Sequence, residues 1–155
     1  MHIQDEKTLE VARRTRANLQ FMDEQYRLGA EVYEFTQLLN SMLGMIICVR
    51  EDYLKAPQGS SEPAVTWQNI IDAGLHVSSD VRSKADAFST LISKLRHGLA
   101  HNGYDFLVSN GEITGIRVET DRGWAANLSE TELREIADLA VDYLERKLKY
   151  GVRSL

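Results

Sequence analysis

The spacing of apolar positions divides the chain into four long helical patterns, one short one and a hairpin. In residues 8–27, Leu9, Ala12, Thr15, Leu19, Met22 and Tyr26 recur at helical spacing, with Glu10, Arg14, Asn18 and Gln25 opposite them. An amphipathic helix is predicted there. Gly29 marks a break, and a second helix follows over residues 31–50. Between Glu34 and Arg50 it carries no charged residue. Placed at about 100° per residue, Val32, Phe35, Leu39, Met42, Leu43 and Ile46 form an apolar stripe, and Gln37, Ser41, Gly44 and Cys48 form a second, small or uncharged one. The second stripe fits either the centre of a bundle or an interface between subunits.

Residues 52–61, with Pro57, Gly59, Ser60 and Ser61, read as a surface loop that runs on to Pro63. Residues 66–74 predict a short helix ended by Gly74, and residues 78–80 lead into a long helix over 81–101. After Gly103 the period changes. Segments 106–109 and 112–118 flank Asn110-Gly111, a strong signal for a two-residue hairpin turn with positive φ at both central positions. Gly115 interrupts the alternation and is a candidate bulge, which leaves the register open. Ser129 and Glu132 then have the spacing of a capping box ahead of Leu133, Ile136, Ala137, Ala140, Leu144 and Leu148. The expected fold class is therefore mainly α. It is a bundle of about four long helices plus a short one, with a β-hairpin inserted before the last helix, in one domain spanning 1–155.

Composition narrows the function classes. The chain has 155 residues, 43% of them hydrophobic and 26% charged, with a formal net charge of -5. An acidic excess argues against coating nucleic acid non-specifically, although a local basic patch remains open. The first residues lack a basic and then apolar leader, and no uncharged apolar run reaches the roughly 20 residues that span a bilayer. A cytoplasmic protein with no membrane association is expected. The single cysteine, Cys48, permits no intrachain disulfide and no thiolate zinc cluster, and fits a small buried hydrophobe.

The chemistry gathers at the end of the third long helix. There Phe88, Leu91, Ile92, Leu95 and Leu99 make the core stripe, while Lys94, His97 and His101 lie together on the far side. Arg96 flanks the stripe, and the five-residue step to His101 separates the two by about 140° around the axis and roughly 7.5 Å along it. Ser89, Ser93 and Ala100 are small and let another helix approach closely. If that were the same helix of a second copy, an Arg96 and a His101 from each chain would share one cleft. Arginine offers permanently charged, bidentate contacts to phosphate, and histidine moves protons near neutral pH. The same residues also suit an ordinary helix end, where cationic side chains complement the dipole.

The string Arg96-His97-Gly98-Leu99-Ala100-His101-Asn102 resembles the signature of the HEPN superfamily, an arginine and a polar residue followed at short distance by a histidine. The helix containing Tyr33-Glu34-Phe35-Thr36-Gln37-Leu38-Leu39-Asn40-Ser41-Met42-Leu43-Gly44 is similar to that of a HEPN subgroup that also carries a hairpin and a closing helix. The likeness spans residues 13–148. It implies a HEPN-like bundle that forms a homodimer through the motif helix and acts as a metal-independent endoribonuclease of a toxin or antiviral type. Arg96 and His101 match its catalytic pair and His97 the polar residue after the arginine, with Asn102, Asn40 and Gln37 as supporting candidates along the cleft. HEPN toxins paired with a nucleotidyltransferase antitoxin often carry a tyrosine two residues after the histidine. Here that position is Gly103, with Tyr104 one later, so this pairing is not the expected one.

On this reading RNA is the substrate, His101 moves the 2′-hydroxyl and leaving-group protons, and Arg96 stabilises the phosphorane charge. No cofactor or metal is expected, and a neutralising or regulatory partner protein is a possibility the family brings. Arg13, Arg14 and Arg16 are candidates for guiding RNA, against the alternative of a solvated helix face. Trp67 and Trp124 fit packing better than base stacking. The rival function is a non-catalytic dimeric module that binds nucleic acid, nucleotide or a partner protein.

Overall fold

A computed structural model of the protein describes residues 3–54, 59 and 64–150. Its first two helices are α1 (Ile3–Arg27) and α2 (Glu34–Tyr53), separated at Gly29, which takes φ +84°. Helix α2 lies against α1 and against the two later long helices, α5 (Phe88–Ala100) and α6 (Glu130–Tyr150). That central position accounts for its uncharged run: Leu38, Leu39, Met42 and Met45 are buried, and so is Ser41 from the small-residue stripe. Of the two explanations, the bundle centre is the one visible within a single chain. The side chains of Leu43, Ile46 and Cys48 lie outside the described residues, as do Pro57, Ser60, Ser61 and Pro63 of the expected loop.

The expected long helix over 81–101 is two helices. After α3 (Trp67–Asp72), a single turn, α4 (Ser79–Arg82), ends at Ser83, and α5 begins only at Phe88. The reason lies in two distant indoles. Trp67 Nε1 donates to the Ala85 carbonyl at 2.8 Å and Trp124 Nε1 to the Lys84 carbonyl at 3.0 Å. These acceptors are thereby satisfied outside any helix, and Ala87 is extended at φ -148° and ψ 157°. Both tryptophans thus serve packing: Trp67 is buried 5.7 Å from the Phe88 ring, and Trp124 is half-buried.

The hairpin is part of a larger sheet. Strands β1 (Tyr104–Ser109) and β2 (Glu112–Glu119) pair antiparallel across Asn110-Gly111, whose φ values of 52° and 81° are those the turn requires. The register shifts between Leu107 and Val108, because Leu107 faces Gly115 whereas Val108 faces Ile113. The bulge therefore falls at Thr114, beside the glycine that signalled it. A third strand, β3 (Ala125–Ser129), pairs with β2 to give the order β1-β2-β3. Ser129 then starts α6 as expected: Glu132 N–H donates to Ser129 Oγ at 3.2 Å and Ser129 N–H to Glu132 Oε2 at 2.7 Å.

One apolar core runs from Leu9 and Ala12 through α2, α5 and α6 to Ile116, Val118 and Leu128 of the sheet. Where α1, α2 and α6 meet, Arg134 donates to Asp23, Glu34 and Glu130 at 2.8–2.9 Å. The chain is mostly helical, and no described helix is long and apolar enough to cross a membrane.

Candidate functional site at the end of helix α5

The predicted core stripe of α5 is buried throughout, from Phe88 through Leu91, Ile92 and Leu95 to Leu99. What fixes the end of the helix is a pair of backbone bonds. Gly103 N–H donates to the Gly98 carbonyl at 2.7 Å and Asn102 N–H to the Leu99 carbonyl at 3.3 Å, with Asn102 left-handed at φ 56°. This is a Schellman motif, and it uses up carbonyls that the last helical turn would leave free. Asn102, a supporting candidate from the sequence, has this backbone role.

Sheet and helix touch at two glycines. A Cβ on Gly98 would overlap Val118 Cγ1 and stand 3.0 Å from the Glu119 carbonyl oxygen, and one on Gly103 would stand 2.5 Å from that same oxygen. Glu119 N–H in turn donates to the Gly103 carbonyl at 2.7 Å. The motif helix is therefore seated on the end of β2, and only residues without a side chain permit that approach.

On this frame His101 is exposed at the C-cap, and its ring centroid lies 4.6 Å from that of His97, with 47° between the planes. His97, 37% exposed, has Nε2 2.8 Å from Asp121 Oδ1. Lys94 Nζ sits 5.4 Å from the centre of the Trp124 ring. Arg96 is half-buried on the flank of the core stripe. The two histidines are thus brought together, whereas Arg96 and His101 stay about 140° apart around one helix axis.

The other candidates divide. Ser93 is half-buried and Ala100 exposed, but Ser89 is turned inward at 7% exposure. Its Oγ donates to the Val65 carbonyl at 3.1 Å and accepts from Val65 N–H at 3.2 Å. Any partner helix would therefore meet Ser93 and Ala100, with Ser89 committed inside the chain. Gln37 is half-buried and Asn40 exposed on α2. On α1, Arg13 Nε pairs with Glu145 at 2.8 Å, Arg16 pairs with Asp142 and Glu145 of α6, and Arg14 Nε pairs with Glu10 of its own helix at 2.7 Å. These contacts fit the solvated, structural reading of that arginine run.

Asp121 is not among the residues that motif spacing singles out. The signal was present in Asp121-Arg122-Gly123, a polar triplet ending in glycine between two short apolar segments, the mark of a three-residue hairpin loop. Among the described residues no group of three or more His, Cys, Asp or Glu is arranged to hold a metal ion.

A family model described as HEPN pEK499 p136 matches residues 1–150. No curated protein and no solved structure matches the chain.

Proposed function

The chain belongs to the HEPN pEK499 p136 family, and from that premise we propose that it is a metal-independent endoribonuclease working at a site composed from two copies. HEPN modules are often ribonucleases or nucleotide binders, and they typically dimerise and bind RNA. The observation that carries the reading to this chain is the pair of imidazoles, half-buried His97 and exposed His101, held ring to ring on a helix end whose backbone is fixed.

In the proposed reaction, His101 of one copy takes the proton of a ribose 2′-hydroxyl as its oxygen attacks the adjacent phosphorus. His101 of the other copy gives a proton to the departing 5′-oxygen. Arg96 balances the extra negative charge of the pentacoordinate phosphorus with two parallel N–H donors. The products are a 2′,3′-cyclic phosphate and a 5′-hydroxyl, and DNA is spared because it lacks the nucleophile. Two copies are required because Arg96 and His101 diverge around one helix, and the small side chains of Ser93 and Ala100 allow a second α5 to come close. A toxin or antiviral role in the cytoplasm, checked by a neutralising or regulatory partner, suits such an activity.

The test incubates the protein with RNA in excess EDTA beside Arg96→Ala and His101→Ala. Cleavage that ends in cyclic phosphate and is lost in both variants is expected. Cleavage that persists in the variants, or that EDTA abolishes, would overturn the mechanism. A protein that sediments as a monomer at micromolar concentration while still cleaving would overturn the composite site, and RNA binding without cleavage would favour the non-catalytic module.

A further inference from the structure

The turn between β2 and β3 reaches the candidate site from outside the motif. It is tightly built: Gly123 N–H donates to the Thr120 carbonyl at 3.1 Å, Thr120 N–H donates to the Trp124 carbonyl at 2.9 Å, and Gly123 takes φ +81°. This is a three-residue loop in which a left-handed glycine follows a type I turn. Both its ends are fastened near α5. Glu119, just before it, donates to Gly103, while Trp124, just after it, donates to Lys84 and lies under the Lys94 ammonium.

Asp121 therefore stands on a rigid support even though its side chain is 71% exposed. An exposed ion pair contributes little stability. Its consequence here is orientation. A carboxylate 2.8 Å from His97 Nε2 keeps the ring hydrogen on that nitrogen and fixes the plane of the ring. Among the described residues, the His97 ring is what the His101 imidazole packs against.

We propose that Asp121 is a positioning residue, which acts through His97 to hold His101 in the orientation that proton transfer to and from RNA requires. The carboxylate touches neither RNA nor the reacting atoms. The functional half of this inference rests on the ribonuclease reading above, whereas the orientation of His97 does not.

Two measurements keep the halves separate. Asp121→Ala is expected to lower kcat on the order of 10-fold with KM unchanged, within the 10²-fold that a small misplacement of a reacting group can cost. Asp121→Asn, whose amide oxygen accepts the same hydrogen bond, is expected to restore most of the rate. Nitrogen-15 spectra of the neutral imidazoles, which need no activity, are expected to show His97 with its hydrogen on Nε2 in the native protein and in Asp121→Asn, and in mixed form in Asp121→Ala. A His97 spectrum indifferent to Asp121→Ala overturns the proposal whatever the cleavage data, and so does equal loss of rate in the alanine and asparagine variants. Spectra that follow expectation in a protein that cuts no RNA overturn the ribonuclease reading and leave the Asp121–His97 contact standing.

Discussion

Charged side chains from three helices converge where α1, α2 and α6 meet, whereas at the end of α5 one imidazole, His101, stands exposed beside another. At the first place Arg134, its side chain 25% exposed, gives its donors to Asp23, Glu34 and Glu130 from three helices. Arg13 and Arg16 belong to the same region, since both cross from α1 to carboxylates on α6. At the second place His101 packs its ring against that of His97. A guanidinium already paired with fixed carboxylates must share or give up those contacts to reach a phosphate. The contrast teaches that, in a chain of net charge -5, the count of basic residues says little about RNA contact. What matters is which of them have partners inside the fold.

The largest expected effect would sharpen that contrast. His101→Ala is expected to reduce RNA cleavage by about 10²–10⁴-fold, the usual contribution of a general acid or base. An exposed substitution of this kind leaves stability within about 0.5 kcal/mol. Rates of cyclic phosphate formation beside thermal melts check both statements. A variant that melts early would make the end of α5 an architectural site like the other.

Arg134→Leu is expected to do the reverse. It leaves three carboxylates facing one another, which costs about 2–3 kcal/mol, below the 3–5 kcal/mol of a fully buried pair because a quarter of the side chain meets solvent. The fraction still folded in mild urea is expected to cleave RNA at the native rate. Loss of cleavage per folded molecule would show that the three-helix junction reaches the site.

Gly98→Ala probes the place where architecture and site share atoms. The added methyl meets Val118 Cγ1 and the Glu119 carbonyl, so either β2 or α5 must move, at about 1–3 kcal/mol for an overpacked contact. Stability by urea titration is expected to fall by that amount, and cleavage with it, because the β2–β3 turn shifts away from His97. A fully active Gly98→Ala would detach the sheet from the chemistry.

How much of this was legible in the sequence depended on whether the cause was local. The α5 core stripe, the Asn110-Gly111 turn and the Ser129–Glu132 box follow from residues close in sequence, and each is where the pattern put it. The break before Phe88 was not legible, because its cause is two indoles that arrive from residues 67 and 124. Strand β3 was missed because Ala125-Ala126-Asn127-Leu128-Ser129 has little intrinsic preference for a strand and takes its form from β2. Arg96 and His101 are legible from the helix end as a candidate phosphate site, and the family resemblance adds the reaction. The inward turn of Ser89 is not legible, because spacing on one helix does not show that Val65 binds it from a distant segment.

The smallest expected effect tests the three-helix junction alone, through Glu34. Burial is the first cause that pushes this carboxyl above its usual value, followed by its hydrogen bond with Asp23 and repulsion from Glu130, with Arg134 pulling the other way. Asp23 Oδ1 is buried and stands 2.9 Å from an Arg134 guanidinium nitrogen without an aligned hydrogen bond, and a proton on Glu34 is an additional donor to Asp23. A folded value above the unfolded one means that the stabilising contribution is fully present below the unfolded value of 4.5 and is lost as pH rises through the folded value. Glu34→Gln keeps a neutral donor at every pH, so its stability relative to the native protein is expected to climb across that window and then level off, by less than about 1 kcal/mol. Glu132 behaves oppositely. Burial pushes it up, but the Ser129 N–H, the Lys84 ammonium and the Ser129 hydroxyl together more than offset this and hold it below the usual value. Its contribution is present above the unfolded value and is lost as pH falls through the folded one. Glu132→Gln is therefore expected to lag the native protein at neutral pH and to approach it in acid. Urea titrations at several pH values separate the two slopes, and a flat difference for Glu34→Gln would mean that Arg134 alone balances all three carboxylates.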